Sequence, residues 1–177
     1  MIAQIVQLLF WIVIRRKMNK KTLFVIILSL SLLFLGVMIK LDVDKKERNA
    51  INRSILLEIS NYDKGITKCI NFNKINYVQW DRLYIFNPYS TSEEIESKIG
   101  TFWLDGRMTK ISSNDNIALL LFMEGNSVRQ YVEFYRGNGD FTSFENGLSY
   151  KKNQAFFVQD KVGHFIPMKC ESGNCCE

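Results

Sequence analysis

Apolar positions along this chain follow three rhythms, and each predicts a different element. Thr22 to Ile39 reads TLFVIILSLSLLFLGVMI, continuous except for two serines and one glycine. At ~1.5 Å rise per residue such a stretch covers ~27 Å as a helix, the thickness of a bilayer core. Its serine hydroxyls can bond back to helix carbonyls, so they are tolerated there. A soluble helix of this length needs a polar face, and this one has none; the pattern predicts a membrane span.

The second rhythm is helical. Ile51, Ile55, Leu56 and Ile59 recur on one face, and Asp44 precedes Glu47 at capping-box spacing. A juxtamembrane helix is expected from about Lys45 to Tyr62, stopping near Gly65 and covering a sheet. A second helix is expected over Ser92 to Ile99, capped by Thr91 and Glu94, closed by Gly100 and buried along Ile95 and Ile99.

The third rhythm is that of strands. Ile66 to Phe72, Tyr77 to Phe86, Ile117 to Met123, Val128 to Tyr135, Phe141 to Phe144, Ala155 to Val158 and His164 to Met168 are rich in β-branched and aromatic residues. Asn87-Pro88-Tyr89-Ser90, Gly125-Asn126, Gly137 to Asp140, Asn146-Gly147, Lys151-Lys152-Asn153 and Lys161-Val162-Gly163 punctuate them. Between Val128 and Tyr135, alternation places Val128, Val132 and Phe134 on one face and Arg129, Glu133 and Tyr135 on the other. The predicted fold is α+β: an N-terminal transmembrane helix, then a small antiparallel sheet with one or two helices packed on one side. The expected divisions are a cytoplasmic segment over 1–21, an anchor over 22–40, a juxtamembrane helix over 41–65 and an extracytoplasmic domain over 66–177.

Charge changes the picture only after it is divided. The chain carries a formal +5, which spread over a domain would suggest nucleic acid. Residues 1–40 hold six bases (Arg15, Arg16, Lys17, Lys20, Lys21 and Lys40) and no acid, leaving 17 bases against all 18 acids beyond them. The globular part is close to neutral, and nucleic acid is not an expected partner. The basic flank ahead of the span places the N-terminus in the cytoplasm and the C-terminal domain outside a cell membrane, single-pass. A basic flank before an apolar run also describes a cleavable signal peptide. With no A-x-A-like site and no cysteine to lipidate after the run, an uncleaved signal anchor is the expectation.

Met1 to Ile14 is a shorter apolar run containing Gln4 and Gln7. Three readings stay open: an interfacial helix, a marginal first span, or a segment left untranslated because synthesis starts at Met18.

Trp80-Asp81-Arg82-Leu83-Tyr84-Ile85-Phe86-Asn87-Pro88-Tyr89-Ser90, followed by Glu93-Glu94-Ile95 and Gly100, resembles a WDxLYxFxPY(T/S)xxEEIxxxxG pattern. That pattern belongs to uncharacterised exported, membrane-anchored proteins of low-GC Gram-positive bacteria. The resemblance covers ~25 residues and implies a location but no activity. More loosely, a short helix ahead of antiparallel strands is similar to the small lipoprotein folds of the SmpA/OmlA and β-lactamase-inhibitor type, without their lipidated cysteine.

The candidate chemistry is sparse. One histidine, His164, excludes every site built on two. Neither a nucleophile elbow nor a zinc-protease, phosphate-loop, dinucleotide or EF-hand motif is present. Glu93 and Glu94 point ~100° apart on a helix and cannot flank one bond. Trp80, Asp81, Tyr84 and Tyr89 form a possible binding strip, although aromatic residues at strand spacing equally suit a packed core. The cysteines are Cys69, Cys170, Cys175 and Cys176; a disulfide between Cys69 and Cys170, on neighbouring strands, is the expected pairing, and free thiols in reducing surroundings are the competing reading. No metal, cofactor or catalytic residue is assigned. The leading function is a non-enzymatic module outside the membrane, held through Thr22–Ile39, that binds an envelope protein or wall component. The alternative is a hydrolase or thiol-redox enzyme of the cell envelope, using Asp81, His164 or the tail thiols.

Overall fold

The computed structural model describes residues 19–61, 69–142 and 145–168. The expectations for residues 1–18, Tyr62 to Lys68, Phe144 and the tail cysteines lie outside these. The chain divides into two compact units, Met1–Val43 and Asp44–Glu177.

In the first unit the described chain is helical from Lys20 onward. It belongs to α1 (Lys20–Asn61), the one helix among the described residues long and apolar enough to cross a membrane. No part of its most apolar 18-residue window is buried, and Leu33 is 69% exposed. The hydroxyls of Ser29 and Ser31 donate to the carbonyls of Ile26 and Leu28 at 2.9 and 2.8 Å, the local bonding that makes serine tolerable among lipid tails.

Two separate helices were expected between 22 and 62; α1 is unbroken. Lys40-Leu41-Asp42-Val43-Asp44 contains neither glycine nor proline, so nothing interrupts the backbone ladder. Asp44 is therefore an interior residue and no cap. Its carbonyl accepts from Gln130 Nε2 at 3.1 Å.

The second unit is α+β. It contains β1 (Cys69–Asn71), β2 (Arg82–Phe86), α2 (Ser92–Ile99), β3 (Ile117–Glu124), β4 (Ser127–Tyr135), β5 (Leu148–Lys151), β6 (Phe156–Gln159) and β7 (Phe165–Pro167). These form two antiparallel sheets where one was expected, ordered β4-β3-β2-β5 and β1-β6-β7.

Two apolar clusters account for that arrangement. Ala118, Leu120 and Phe122 of β3 join Leu83, Ile85, Val132 and Phe134, the inner residues Ile70, Phe157 and Phe165 of the smaller sheet, and Ile51, Ile55 and Ile59 of α1. Leu119, Leu121 and Met123 face the other way, toward Tyr84, Phe86, Trp103 and the α2 residues Ile95 and Ile99. β3 is buried on both faces, which explains its uninterrupted apolar run. The helices are accordingly divided between two faces of the larger sheet. Rings dominate the first cluster: Phe141 stacks on Phe165 at 4.9 Å and meets Phe157 edge-on at 5.5 Å.

Several boundaries depart from expectation. The register shifts between Phe122 and Met123, so that Phe122 faces Gln130 while Met123 faces Val128. This bulge turns Val128 away from Val132 and Phe134; it packs with the second cluster. Tyr77 to Asp81 is irregular because Trp80 Nε1 donates to the Ile75 carbonyl at 3.0 Å, folding that segment back on itself. Phe141 and Thr142 are outside any strand. Gly139, at φ +145°, passes so close to Phe165 that an added Cβ would sit 2.0 Å from its ring.

α2 forms as the sequence indicates. Thr91 Oγ1 accepts from the Glu94 amide at 3.2 Å, Glu94 Oε2 accepts from the Thr91 amide at 2.8 Å, and Gly100 closes the helix at φ +74°.

Candidate functional site

The signature residues around Trp80 are distributed by the pleat. Trp80 is 4% exposed and belongs to the first cluster, edge-on to Phe122 at 5.4 Å. Tyr84 belongs to the second, stacked on Phe86 across a centroid distance of 6.2 Å. Tyr89 is exposed, with φ +66°, in the turn leading to α2. These three do not share a surface, so no continuous aromatic strip exists. The Asn87–Ser90 turn has a structural rationale: Asn146 Oδ1 accepts from the Asn87 amide at 2.8 Å and from Ser90 Oγ at 3.1 Å.

Asp81 stands differently. Its Oδ2 accepts from the Gly125 amide at 2.7 Å, tying the segment before β2 to the β3–β4 turn. Beside it opens a cleft of about 410 Å³, lined by Trp80, Asp81, Arg82, Lys151, Lys152 and Asn153. Strand register builds this cleft. Arg82, the first residue of β2, lies directly opposite Lys151, the last of β5. The Lys152 amide donates to the Asp81 carbonyl at 2.9 Å, which holds Lys152 Nζ 5.2 Å from the centre of the Trp80 ring.

The electrostatics of the cleft are one-sided. Three cations line it against one carboxylate. Arg82 is committed: its Nε lies 3.6 Å from Asp81 Oδ1 and a terminal nitrogen donates to the Gly125 carbonyl at 3.0 Å. Lys151 and Lys152 make no ion pair among the described residues. Like charges placed opposite each other across a ladder repel; Asp81, beside Arg82, is the one carboxylate of the cleft that offsets this for the Arg82–Lys151 pair.

No family model, curated protein or solved structure matches the chain. The cleft is therefore defined by its own residues alone.

The remaining candidates lie apart from this cleft. His164 sits at the β6–β7 turn, its amide donating to Asp160 Oδ1 at 2.8 Å and its Nδ1 3.8 Å from Asp160 Oδ2. That amide is the main reason the Asp160 carboxyl lies below its ordinary range; burial opposes it, and the Val162 amide, the His164 charge and the Gly163 amide add to the lowering. Neither partner set includes Asp81. Among the described residues no three histidine, cysteine or acidic side chains group as metal ligands. A smaller recess of about 250 Å³ lies between Arg48, Asn49 and Asn52 of α1 and Tyr131 to Glu133 of β4. There the Arg48 guanidinium stacks 4.3 Å over the Tyr131 ring. Burial raises the Tyr131 hydroxyl's pKa, and Arg48 partly offsets this.

Cys69 is disulfide-bonded; Cys170, its expected partner, lies outside the described residues. The expectation of neighbouring strands needs correction, because β6 separates β1 from β7. Cys69 packs with Phe156 and Met168 on the outer face of the smaller sheet.

Sequence reasoning named Trp80 and Asp81 but read Lys151-Lys152-Asn153 as a turn alone. The missing signal was β5. Once Leu148 to Lys151 is recognised as a strand, pairing it against β2 sets a lysine opposite Arg82.

Proposed function

We propose that this protein is a membrane-anchored extracytoplasmic binding module whose binding surface is the Trp80–Lys152 cleft. The N-terminus is cytoplasmic, the anchor is Thr22–Ile39, and the Asp44–Glu177 unit is displayed outside. The observation that carries the reading is the opposed Arg82–Lys151 pair, joined by Lys152 above an aromatic wall. This costs the free fold some stability, and an anionic group on a bound partner would offset it. The resemblance to exported, membrane-anchored proteins supports the location. Most of its signature residues serve the fold: Trp80, Leu83, Phe86 and Ile95 are core, while Glu94 and Gly100 cap α2. Such a signature is compatible with varied ligands.

The test places a photo-crosslinking residue at Asn153 on the cleft rim and, separately, at Glu93 on α2, in the full chain in living cells. Protease is then added to intact protoplasts. The expected outcome is a discrete adduct from position 153 alone, with the 44–177 unit digested from outside. Equal labelling at both positions, none at 153, or protection of the unit would overturn the proposal.

A further inference from the structure

We infer that the ligand of this cleft is the phosphate-bearing headgroup of an anionic membrane lipid; the inference rests on the binding-module reading above. Three features of the second unit lead to it.

The first is chemical. The lining carries Arg82, Lys151 and Lys152 against Asp81, a local excess of two positive charges. Asp81 is already occupied by the Gly125 amide and by Arg82, so it does not neutralise the lysines. Arg82 is fixed by its bonds to the Gly125 carbonyl and the Tyr84 hydroxyl, at 3.0 and 3.4 Å. The two lysines sit on flexible stems, the form in which compact cations meet a phosphodiester.

The second feature is the place of the cleft in the fold. Arg82 opens β2, Lys151 closes β5, and Gly125 is in the turn between β3 and β4. All three lie at the same end of the larger sheet. Within this unit α1 follows β4: Asp44 and Glu47 meet Gln130, Arg48 meets Tyr131, and the next helical turn lines a recess with Val132 and Glu133. From Asp44 onward the helix runs away from the Gly125 end. The chain therefore enters the unit at the end that holds the cleft.

The third feature is covalent reach. Asp44 lies five residue steps beyond Ile39, the last residue of the apolar run, about 7.5 Å as a helix and about 18 Å fully extended. A cationic cleft at the entry end of a unit so tethered is within reach of the bilayer surface. Basic residues near an anionic leaflet are weakly attracted to it, and tethering turns that attraction into an intramolecular event. A soluble phosphate ligand has no such advantage.

The full chain, with the photo-crosslinking residue at Asn153, is reconstituted in nanodiscs of phosphatidylcholine alone or with about one-third phosphatidylglycerol. Irradiated protein is then weighed by mass spectrometry. The expected result is a phosphatidylglycerol adduct that is at least fivefold weaker in phosphatidylcholine alone. Lys151→Gln with Lys152→Gln should lower it about tenfold while leaving the thermal midpoint unchanged or higher. Millimolar glycerol phosphate should not compete. Equal labelling in both lipids, or indifference to the double substitution, overturns the inference. Competition by glycerol phosphate also overturns it, assigning the site to a soluble phosphate compound. Should position 153 label a non-lipid component in cells while giving no lipid adduct in nanodiscs, the lipid inference alone fails. Absence of labelling in both settings removes the binding-module reading itself.

Discussion

Two apolar runs in this chain look alike as sequence and meet opposite fates. Ile117 to Met123 reads IALLLFM, and every residue in it is at least 92% buried. Thr22 to Ile39 is longer and as apolar, yet no residue of its most apolar window is buried. The difference lies in what the rest of the chain supplies. β3 is the inner partner of β2 and β4 and has a cluster on each face, so other residues of the protein remove it from water. Nothing in the described chain does this for residues 22–39. By length and composition, a helix carrying an 18-residue apolar surface of that kind is able to cross a membrane.

The comparison breaks if the two runs respond alike to substitution. Phe122→Ala removes a fully buried ring at the junction of Phe72 and Trp80 and should destabilise the second unit by about 3–5 kcal/mol, read as a lower denaturation midpoint. Leu33→Ala, at a 69% exposed position, should shift that midpoint by less than about 0.5 kcal/mol. A Leu33 effect comparable to that at Phe122 would mean that protein, not lipid, covers the first run.

Cys69 sharpens the contrast from the other side, since its burial includes a covalent link. All other cysteines lie 101 to 107 residues further on, so any partner closes a loop of roughly the same length. In the chain-entropy model a ~100-residue loop contributes about 4.7 kcal/mol, and measured losses on removing native disulfides are about 2–5 kcal/mol. Cys69→Ser should therefore lower the midpoint strongly in oxidising buffer and far less in reductant. Equal losses in both would assign the effect to the side chain's packing with Phe156 and Met168. Of the single serine variants in the tail, Cys170→Ser is expected to reproduce the oxidising loss.

Legibility followed locality. α2 was readable to the residue, because cap, reciprocal bond and closing glycine all lie within ten positions. The β3–β4 hairpin was readable for the same reason, being joined through Gly125-Asn126. What the sequence concealed depends on partners far along the chain. β5 is four residues long with one half-buried tyrosine, and only its pairing with β2, some 65 residues earlier, makes it a strand. The bulge at Phe122 is invisible to a period-two count, which placed Val128 on the wrong face. The separation of the strands into two sheets rests on clusters whose members are spread along the second unit. The cleft was half legible: Asp81 and Trp80 stand in one stretch, but the register that faces Arg82 with Lys151 is long-range.

The smallest expected effect belongs to the most legible element. Thr91→Ala removes the hydroxyl that accepts from the Glu94 amide and should cost about 1 kcal/mol, with Thr91→Ser nearly neutral. Glu94→Gln tests the reciprocal half of the box, since an amide oxygen can still accept from the Thr91 amide while its charge is gone. Glu93 and Glu94 both stand in the first turn, where a negative charge gains a few tenths of a kcal/mol from the helix dipole. The loss at Glu94→Gln should therefore be smaller than at Thr91→Ala and should shrink in high salt, while the Thr91 loss persists. Both should appear in the unfolding midpoint of the second unit, because Ile95 and Ile99 anchor α2 to the cluster beneath β3. If neither substitution moves that midpoint while hydrogen exchange in α2 accelerates, the helix opens independently of the sheet, and the second cluster is not part of one cooperative core.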